Sequence, residues 1–348
     1  MPNQSQLKDW FRKRKERIQS LNAETLFPEL ISGNRTALSA AITLVESQLS
    51  SDRKEANELI QRCLPHQKKS WRIGITGVPG VGKSTFIESF GKIILQKGLK
   101  LAVLAIDPSS NVTGGSILGD KTRMNWLSQQ ENVFIRPTAT GNNLGGVARN
   151  TREAIILCEA AGYDVILIET VGVGQSETLV HSMIDFFLLL MLSGAGDELQ
   201  GIKRGIMEMA DAIVITKADG ENLLKSKQSR NQYANALHLF PAKESQWIAT
   251  SQICSSLQNE GLEEIWQTIE QFFNLVTVNG WLNQNRKNQE LSVLREHLSF
   301  LLQQEFFGKE EWLLALQQME QQIQLGTISV FKAAEELFER FKKLYSYS

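Results

Sequence analysis

The stretch Gly77-Val78-Pro79-Gly80-Val81-Gly82-Lys83-Ser84 constrains this chain more than any other. It matches GxxxxGKS, and its flanks suit a strand on one side and a helix on the other. Trp71-Arg72-Ile73-Gly74-Ile75-Thr76 reads as a short buried strand, and residues 85–94 carry helical apolar spacing. Glycines at these places let backbone N–H groups curl around a phosphate, and the dipole of the following helix favours the anion. In such a loop Gly77 to Thr85 cradle the phosphates, Lys83 reaches the β- and γ-phosphates, and the Ser84 hydroxyl serves Mg²⁺. An ordinary glycine-rich turn does not need strand, full motif and helix together. The pattern predicts a nucleotide-binding α/β chain.

Composition narrows the partners. The chain has 348 residues, 42% of them hydrophobic and 22% charged, and a formal net charge of −1. That length allows two or three units with a sizeable core. Without a basic excess, nucleic acid is not expected as the main partner. Cys63, Cys158 and Cys254 lie far apart and form no CxxC or Cys/His cluster, which fits a reducing cytoplasm and no zinc or disulfide framework. The longest apolar run, Phe186 to Leu192, is too short to span a bilayer, so no membrane association is expected. Asp9 and Glu16 interrupt the basic N-terminus, which lacks the apolar core of a signal peptide.

Residues 1–70 read as a helical arm. Lys8, Arg12, Lys13, Arg14, Lys15 and Arg17 suit a solvated helical face better than a nucleic-acid or membrane-surface helix. Ala37 to Leu49 have three-to-four spacing, the charged stretch 51–58 leads into a further helix, and 65–69 read as a linker. From 71 to 278 short apolar segments alternate with helical patterns. The strands read are 72–76, 101–106, 132–136, 164–169, 186–191, 212–216 and 246–250. Runs such as Val165-Ile166-Leu167-Ile168 suit strands covered on both faces, and the alternation predicts a mainly parallel central sheet flanked by helices. Ligands bind such sheets at the carboxyl ends of the strands. Residues 279–348 carry amphipathic stripes at 291–302, 312–323 and 331–344, which predict a helical arm that packs on a second copy or a partner.

Several polar residues fall at those strand ends. Asp107 follows the second strand and opens a glycine-rich polar loop containing Asp120, the expected place of a switch that senses Mg²⁺ and the γ-phosphate. Both carboxylates offer the hard oxygen that Mg²⁺ prefers, and both equally suit helix capping. Glu169 closes an apolar strand three residues before Gly172, an acid-x-x-Gly arrangement in which the acid assists the metal and the glycine N–H meets the γ-phosphate. No glutamine follows Gly172 directly, Gln175 lying farther on, so slow unassisted hydrolysis is expected. Thr216-Lys217-Ala218-Asp219 resembles the guanine-reading Asn-Lys-x-Asp motif, with threonine in place of asparagine. Asp219 can accept from guanine N1–H and the exocyclic amine, a donor pair that adenine lacks, while Lys217 lies along the base. Thr216 loses an amide that holds the loop and contacts the base, so looser selection is expected. Cys254-Ser255-Ser256 supplies a second, weaker base-contact loop.

Together these motifs resemble the MeaB/ArgK family of P-loop GTPases, which assist adenosylcobalamin-dependent acyl-CoA mutases such as methylmalonyl-CoA mutase. The matching blocks are GVPGVGKST (77–85), DPSSNVTGGSILGDKTRM (107–124), ETVGVGQSE (169–177), SGAGDELQGIKRGIMEMAD (193–211) and TKAD (216–219). The resemblance implies that Lys83, Ser84, Asp107, Asp120 and Glu169 take the phosphate and Mg²⁺ roles and that Asp219 takes guanine. It implies a mobile loop, Leu192 to Lys203, through which Gln200 and Lys203 communicate with the mutase. It also implies a homodimer joined by the C-terminal helices. The activity expected is that of a GTPase chaperone gating cofactor loading and protecting its mutase, with hydrolysis as a timer. Two other readings compete with it. An ATP-using kinase linked to amino-acid transport fits poorly with TKAD. A metal-inserting GTPase of the hydrogenase or urease maturation kind fits poorly with His66, His181, His238 and His297 scattered as they are.

Overall fold

A computed structural model describes residues 22–47, 49–106, 124–138, 144–170, 176–194, 204–307 and 310–345. The chain divides into two compact units, one ending at Lys287 and one running from Asn288. The first is built on β1 (Trp71–Gly77), β2 (Leu101–Ile106), β3 (Val133–Thr138), β4 (Val165–Thr170), β5 (Phe186–Met191), β6 (Ala212–Ile215) and β7 (Thr250–Ile253). They form one seven-stranded sheet in the order β3-β2-β4-β1-β5-β6-β7, and every pairing is parallel. The chain leaves β1 toward β2 on one side, while β5, β6 and β7 lie on the other. The loop after β1 therefore stands where the strand order reverses, the usual place of a ligand crevice.

Period-two alternation sorts the apolar strand residues onto two faces. Ile166 and Ile168 of β4, with Phe187, Leu189 and Met191 of β5, face one core. That core is closed by α1 (Ala23–Ile31), α2 (Arg35–Glu46) and α3 (Ser50–Cys63), and by helices following the sheet. Val165 and Leu167, with Phe186, Leu188 and Leu190, face the other, closed by α4 (Lys83–Gln96), α5 (Asn125–Ser128) and Leu262 to Val276. Between the strands also run α6 (Leu144–Ala160), α7 (Ser176–His181), α8 (Arg204–Met209) and α9 (Asn222–Leu237), and α10 (Leu262–Val278) follows β7.

The N-terminal helices start on strong local signals. Asn22 caps α1 by accepting from Thr25 N at 2.8 Å, and Asn34 caps α2 by accepting from Thr36 N at 2.8 Å. Their apolar stripes then share a core with the sheet and α6: Leu30, Leu38, Ile42 and Leu59 are fully buried. The charged stretch 51–58 is not a lead-in but the body of α3, whose Leu59 and Cys63 face inward. Arg136 of β3 fastens α2 from the sheet side, donating to Glu46 Oε2 at 2.5 Å.

Two segments differ from the sequence expectation. The last strand is Thr250–Ile253, not 246–250. Trp247 instead turns its indole N–H to the carbonyl of Asp211 at 3.0 Å, and Ile248 is 73% exposed. The first unit also runs past Val278, to Lys287. Trp281 and Leu282 pack on its core, and Arg286 enters a buried charge network. Arg286, at the start of α11 (Trp281–Phe307), donates to both oxygens of Asp185 at 2.9 and 2.6 Å and to the carbonyl of Ser70 at 2.6 Å. Beside it Arg72 donates to both oxygens of Glu159 at 2.8 and 2.9 Å, and the Ser70 hydroxyl donates to Glu159 at 2.6 Å. The network lies at the amino ends of β1 and β5, opposite the loops.

The second unit contains the rest of α11, α12 (Glu310–Gln324) and α13 (Val330–Tyr345). Its buried core is small, Met319, Ala333 and Leu337, with Phe306, Leu316 and Ile323 packed against it. Around it Phe306, Trp312 and Phe341 stack within 5.6 Å of one another, ring centre to ring centre. Leu294, Leu298, Leu302, Phe331 and Phe338 remain exposed. Among the described residues no helix is long and apolar enough to cross a membrane.

All three cysteines are buried free thiols. Burial pushes the Cys63 thiol up to about 11 and that of Cys254 up to about 12, and raises that of Cys158 as well. The thiolate is the reactive form, so at pH 8 the native chain is expected to resist alkylation at all three. A mass-spectrometric time course checks this: slow labelling when native, complete labelling in denaturant. Rapid native labelling of any one would show that its burial is transient.

Candidate nucleotide site

The site is assembled at the carboxyl edge of β1, β4, β5 and β6. β1 ends in Gly77, where a side chain has no room: a Cβ would lie 2.5 Å from the carbonyl oxygen of Leu190 in β5. The loop then turns over buried Val78 and Val81, with Val81 N bonded to Val78 O at 3.2 Å. Gly82 starts α4 at φ +92°, a backbone favoured only by glycine. No side chain caps this helix, which leaves its first N–H groups available to an anion. Gly77 to Thr85 thus adopt the strand, loop and helix sequence the motif predicts. Pro79, Gly80 and Thr85 are exposed, and Ser84 is half-buried at the start of α4.

Lys83 folds back over this loop. It is 9% exposed and its Nζ donates to the carbonyl of Gly77 at 3.0 Å. Burial lowers its pKa from the ordinary lysine value, and the negative charge of Glu169 pushes the other way. Glu169 is buried at the end of β4, in register with Ile75 of β1. Next to it the hydroxyls of Thr170 and Thr76 share a 2.7 Å hydrogen bond across the two strands, both side chains fully buried. This pair was not singled out in the sequence. A threonine ending each of two adjacent apolar strands was the available signal.

The segment Thr216 to Asp219 is tied to the Gly77–Ser84 loop at two points. The buried Thr216 hydroxyl donates to Val81 O at 2.7 Å and lies 3.3 Å from Met191 O. Lys217 Nζ donates to Gly80 O at 2.8 Å. Threonine therefore supplies the tether that its replacement of asparagine was expected to remove, because a hydroxyl on this short branch already reaches the loop carbonyl. Lys217 sits at φ +54°, a left-handed backbone that costs a non-glycine residue about 1 kcal/mol or more. Ala218 N holds the turn by donating to Cys254 O at 3.0 Å. Asp219 is half-buried, and its Oδ2 accepts from the Ser255 hydroxyl at 2.5 Å. Ser255 in turn accepts from Gln258 N at 3.2 Å, and the carbonyl of Ser256 accepts from Ser89 of α4 at 2.8 Å. The Cys254–Ser256 segment follows β7 as it stands, and it braces Asp219 from behind.

Lys83, Ser84, Glu169, Thr216, Lys217, Asp219, Ser255 and Ser256 are thus gathered along one edge of the sheet. Asp107, Asp120, Gly172, Gln175, Gln200 and Lys203 lie outside the described residues. Ser84 and Glu169 offer a hydroxyl and a carboxylate oxygen, hard donors of the kind that suit Mg²⁺.

Residues 38–311 match the family described as "Methylmalonyl Co-A mutase-associated GTPase MeaB". The chain is 43% identical over 316 residues to "GTPase ArgK" of Escherichia coli (strain K12), covering 91% of this chain and 96% of that protein. It is 43% identical over 329 residues to "Methylmalonic aciduria type A homolog, mitochondrial" of Mus musculus, covering 92% and 79%. A solved structure described as "Crystal structure of LAO/AO transport system kinase" superposes with a TM-score of 0.75 at 36% identity, covering 92% of this chain and 97% of that one.

Proposed function

Because the chain belongs to the MeaB family of methylmalonyl-CoA mutase-associated GTPases and is itself a GTPase, we propose that it couples GTP hydrolysis to the care of an acyl-CoA mutase. In this reading it gates the loading of adenosylcobalamin into a mutase of the methylmalonyl-CoA type and protects that enzyme. The observation that carries the nucleotide part is the double link from Thr216 and Lys217 to the carbonyls of Val81 and Gly80. It sets a base-reading carboxylate and a phosphate loop on one rigid frame.

The N–H groups at the start of α4 and the Lys83 ammonium bind the β- and γ-phosphates. Asp219 accepts from the guanine edge, with Ser255 fixing its carboxylate and Lys217 lying along the base. Ser84 and Glu169, with Asp107 and Asp120, would hold Mg²⁺, and the Gly172 N–H would meet the γ-phosphate. Magnesium, when bound, neutralises charge that builds on the phosphate oxygens. Replacing Asp219 by alanine should cost GDP about 10- to 100-fold in affinity while leaving ADP unchanged, since a hydrogen bond to a charged group is lost only with guanine. Calorimetric titration of both nucleotides checks this; equal binding of ADP and GDP by the parent chain would overturn the guanine assignment.

Coupling to the mutase runs, in this proposal, through the segment Leu192 to Lys203. Unassisted hydrolysis should be slow, and the cognate mutase should accelerate it. Gln200→Ala or Lys203→Ala should at least halve that acceleration and leave the unassisted rate nearly unchanged. Undiminished stimulation in both variants would remove the segment from the coupling role. The exposed apolar faces of α11 and α13 support a homodimer formed through residues beyond Lys287. Light scattering should give a dimer for the full chain and a monomer after truncation at Lys287. A monomeric full chain at micromolar concentration would exclude it.

A further inference from the structure

Thr216 follows β6 with 3% of its surface exposed, and its hydroxyl meets two backbone carbonyls: Val81 O at 2.7 Å and Met191 O at 3.3 Å. Carbonyls only accept, so the hydroxyl must donate. It has one proton, and the phosphate loop takes it. Asparagine, which the Asn-Lys-x-Asp pattern carries at this place, has an amide with two N–H donors. One can hold the loop carbonyl while the other serves the base, and guanine presents N7 as an acceptor. Two neighbouring main-chain donors are committed as well. Thr216 N bonds Met191 O at 2.9 Å, and Ala218 N bonds Cys254 O at 3.0 Å.

We infer that Thr216 is a specificity-determining residue that divides the two roles of asparagine, keeping the tether and giving up the contact to N7. Guanine is then read through its Watson–Crick edge alone, by Asp219. This rests on the guanine reading above and deepens it. The ligand class accepted widens accordingly: guanine nucleotides altered at N7 are bound like GDP, and those altered at N1 or the exocyclic amine are not.

The test uses the full chain and displacement of a fluorescent GDP by GDP, ADP, inosine diphosphate and 7-deaza-GDP. Inosine lacks the amine, and 7-deazaguanine carries C–H in place of N7. The expected result is 7-deaza-GDP within about twofold of GDP, and inosine diphosphate weaker by about tenfold or more. Thr216→Asn should create a penalty for 7-deaza-GDP of about three- to tenfold, the worth of one neutral hydrogen bond, whereas Thr216→Ser should keep parity. A fivefold or larger loss with 7-deaza-GDP in the parent chain overturns the inference, whatever the variants do. If ADP competes as well as GDP, the guanine reading itself falls, and the inference with it. If GDP beats ADP and only the 7-deaza parity fails, the role of Thr216 falls alone.

Discussion

Replacing Lys83 by alanine should lower GTP turnover by about 10²–10³-fold, the usual cost of removing one preorganised donor from a reacting group. The melting temperature should stay level or rise slightly. Lys83 is 9% exposed, and its ammonium rests on Gly77 O, one of the loop's own carbonyls. A phosphate oxygen is a far better partner for it than that carbonyl. The stability half follows from proton linkage. Burial holds the folded pKa of Lys83 below its unfolded value, so the folded state binds this proton less tightly. At pH values below both, the charged lysine therefore weighs against folding, and removing it relieves that cost. Glu169, which raises the same pKa, reduces the cost without reversing it. Initial GTPase rates and a thermal melt on the same preparation check both halves. Near-normal turnover would remove Lys83 from the chemistry, and a collapse in melting temperature would make it a structural residue.

Arg286→Ala is expected to destabilise the first unit by about 3–5 kcal/mol, the range for breaking a buried ion pair and stranding one partner. The melting temperature should fall by roughly 6–20 °C. Asp185 has no exposed side-chain surface, and Arg286 meets both of its oxygens. The same carboxylate accepts from Arg72 N at 3.0 Å at the start of β1, so losing the guanidinium disturbs the strand that carries the phosphate loop. Pairing Arg286→Met with Asp185→Asn should cost clearly less than Arg286→Ala, because neither charge is then stranded. Equal losses in the two variants would assign the effect to packing of the arginine stem. Nucleotide affinity measured well below the melting point should change little, since the network lies at the other end of the strands.

The nucleotide frame was legible because its information is local. GxxxxGKS, the strand-ending Glu169 and TKAD each lie within a few residues, and continuous apolar runs mark β2, β4, β5 and β6. β7 escaped for the opposite reason. Thr250-Ser251-Gln252-Ile253 is a half-buried edge strand without an apolar run, while the more apolar 247–249 beside it is held by the Trp247 indole. The Arg72, Glu159, Asp185 and Arg286 network could not be read at all, because its hydrogen-bonded partners lie 87 to 216 residues apart and meet only in the folded chain. Thr216 was visible as a departure from a motif. Its consequence was not, because whether a hydroxyl can replace an amide depends on which carbonyl stands in front of it.

The position of β1 within the sheet also bears on how the chain is made. β1 is flanked by β4 and β5, and Trp71 pairs with Val165 and Ile73 with Phe186. A ribosome adding about 5–20 residues per second needs roughly 5–20 s to cover the hundred or so residues between these partners. Throughout that interval an apolar strand emerges with neither neighbour available, and α2 still waits for α6, against which it packs. Such a nascent segment exposes unpaired backbone and apolar surface, the condition in which chaperones bind and chains aggregate. The phosphate loop is complete in sequence long before it has a sheet to stand on.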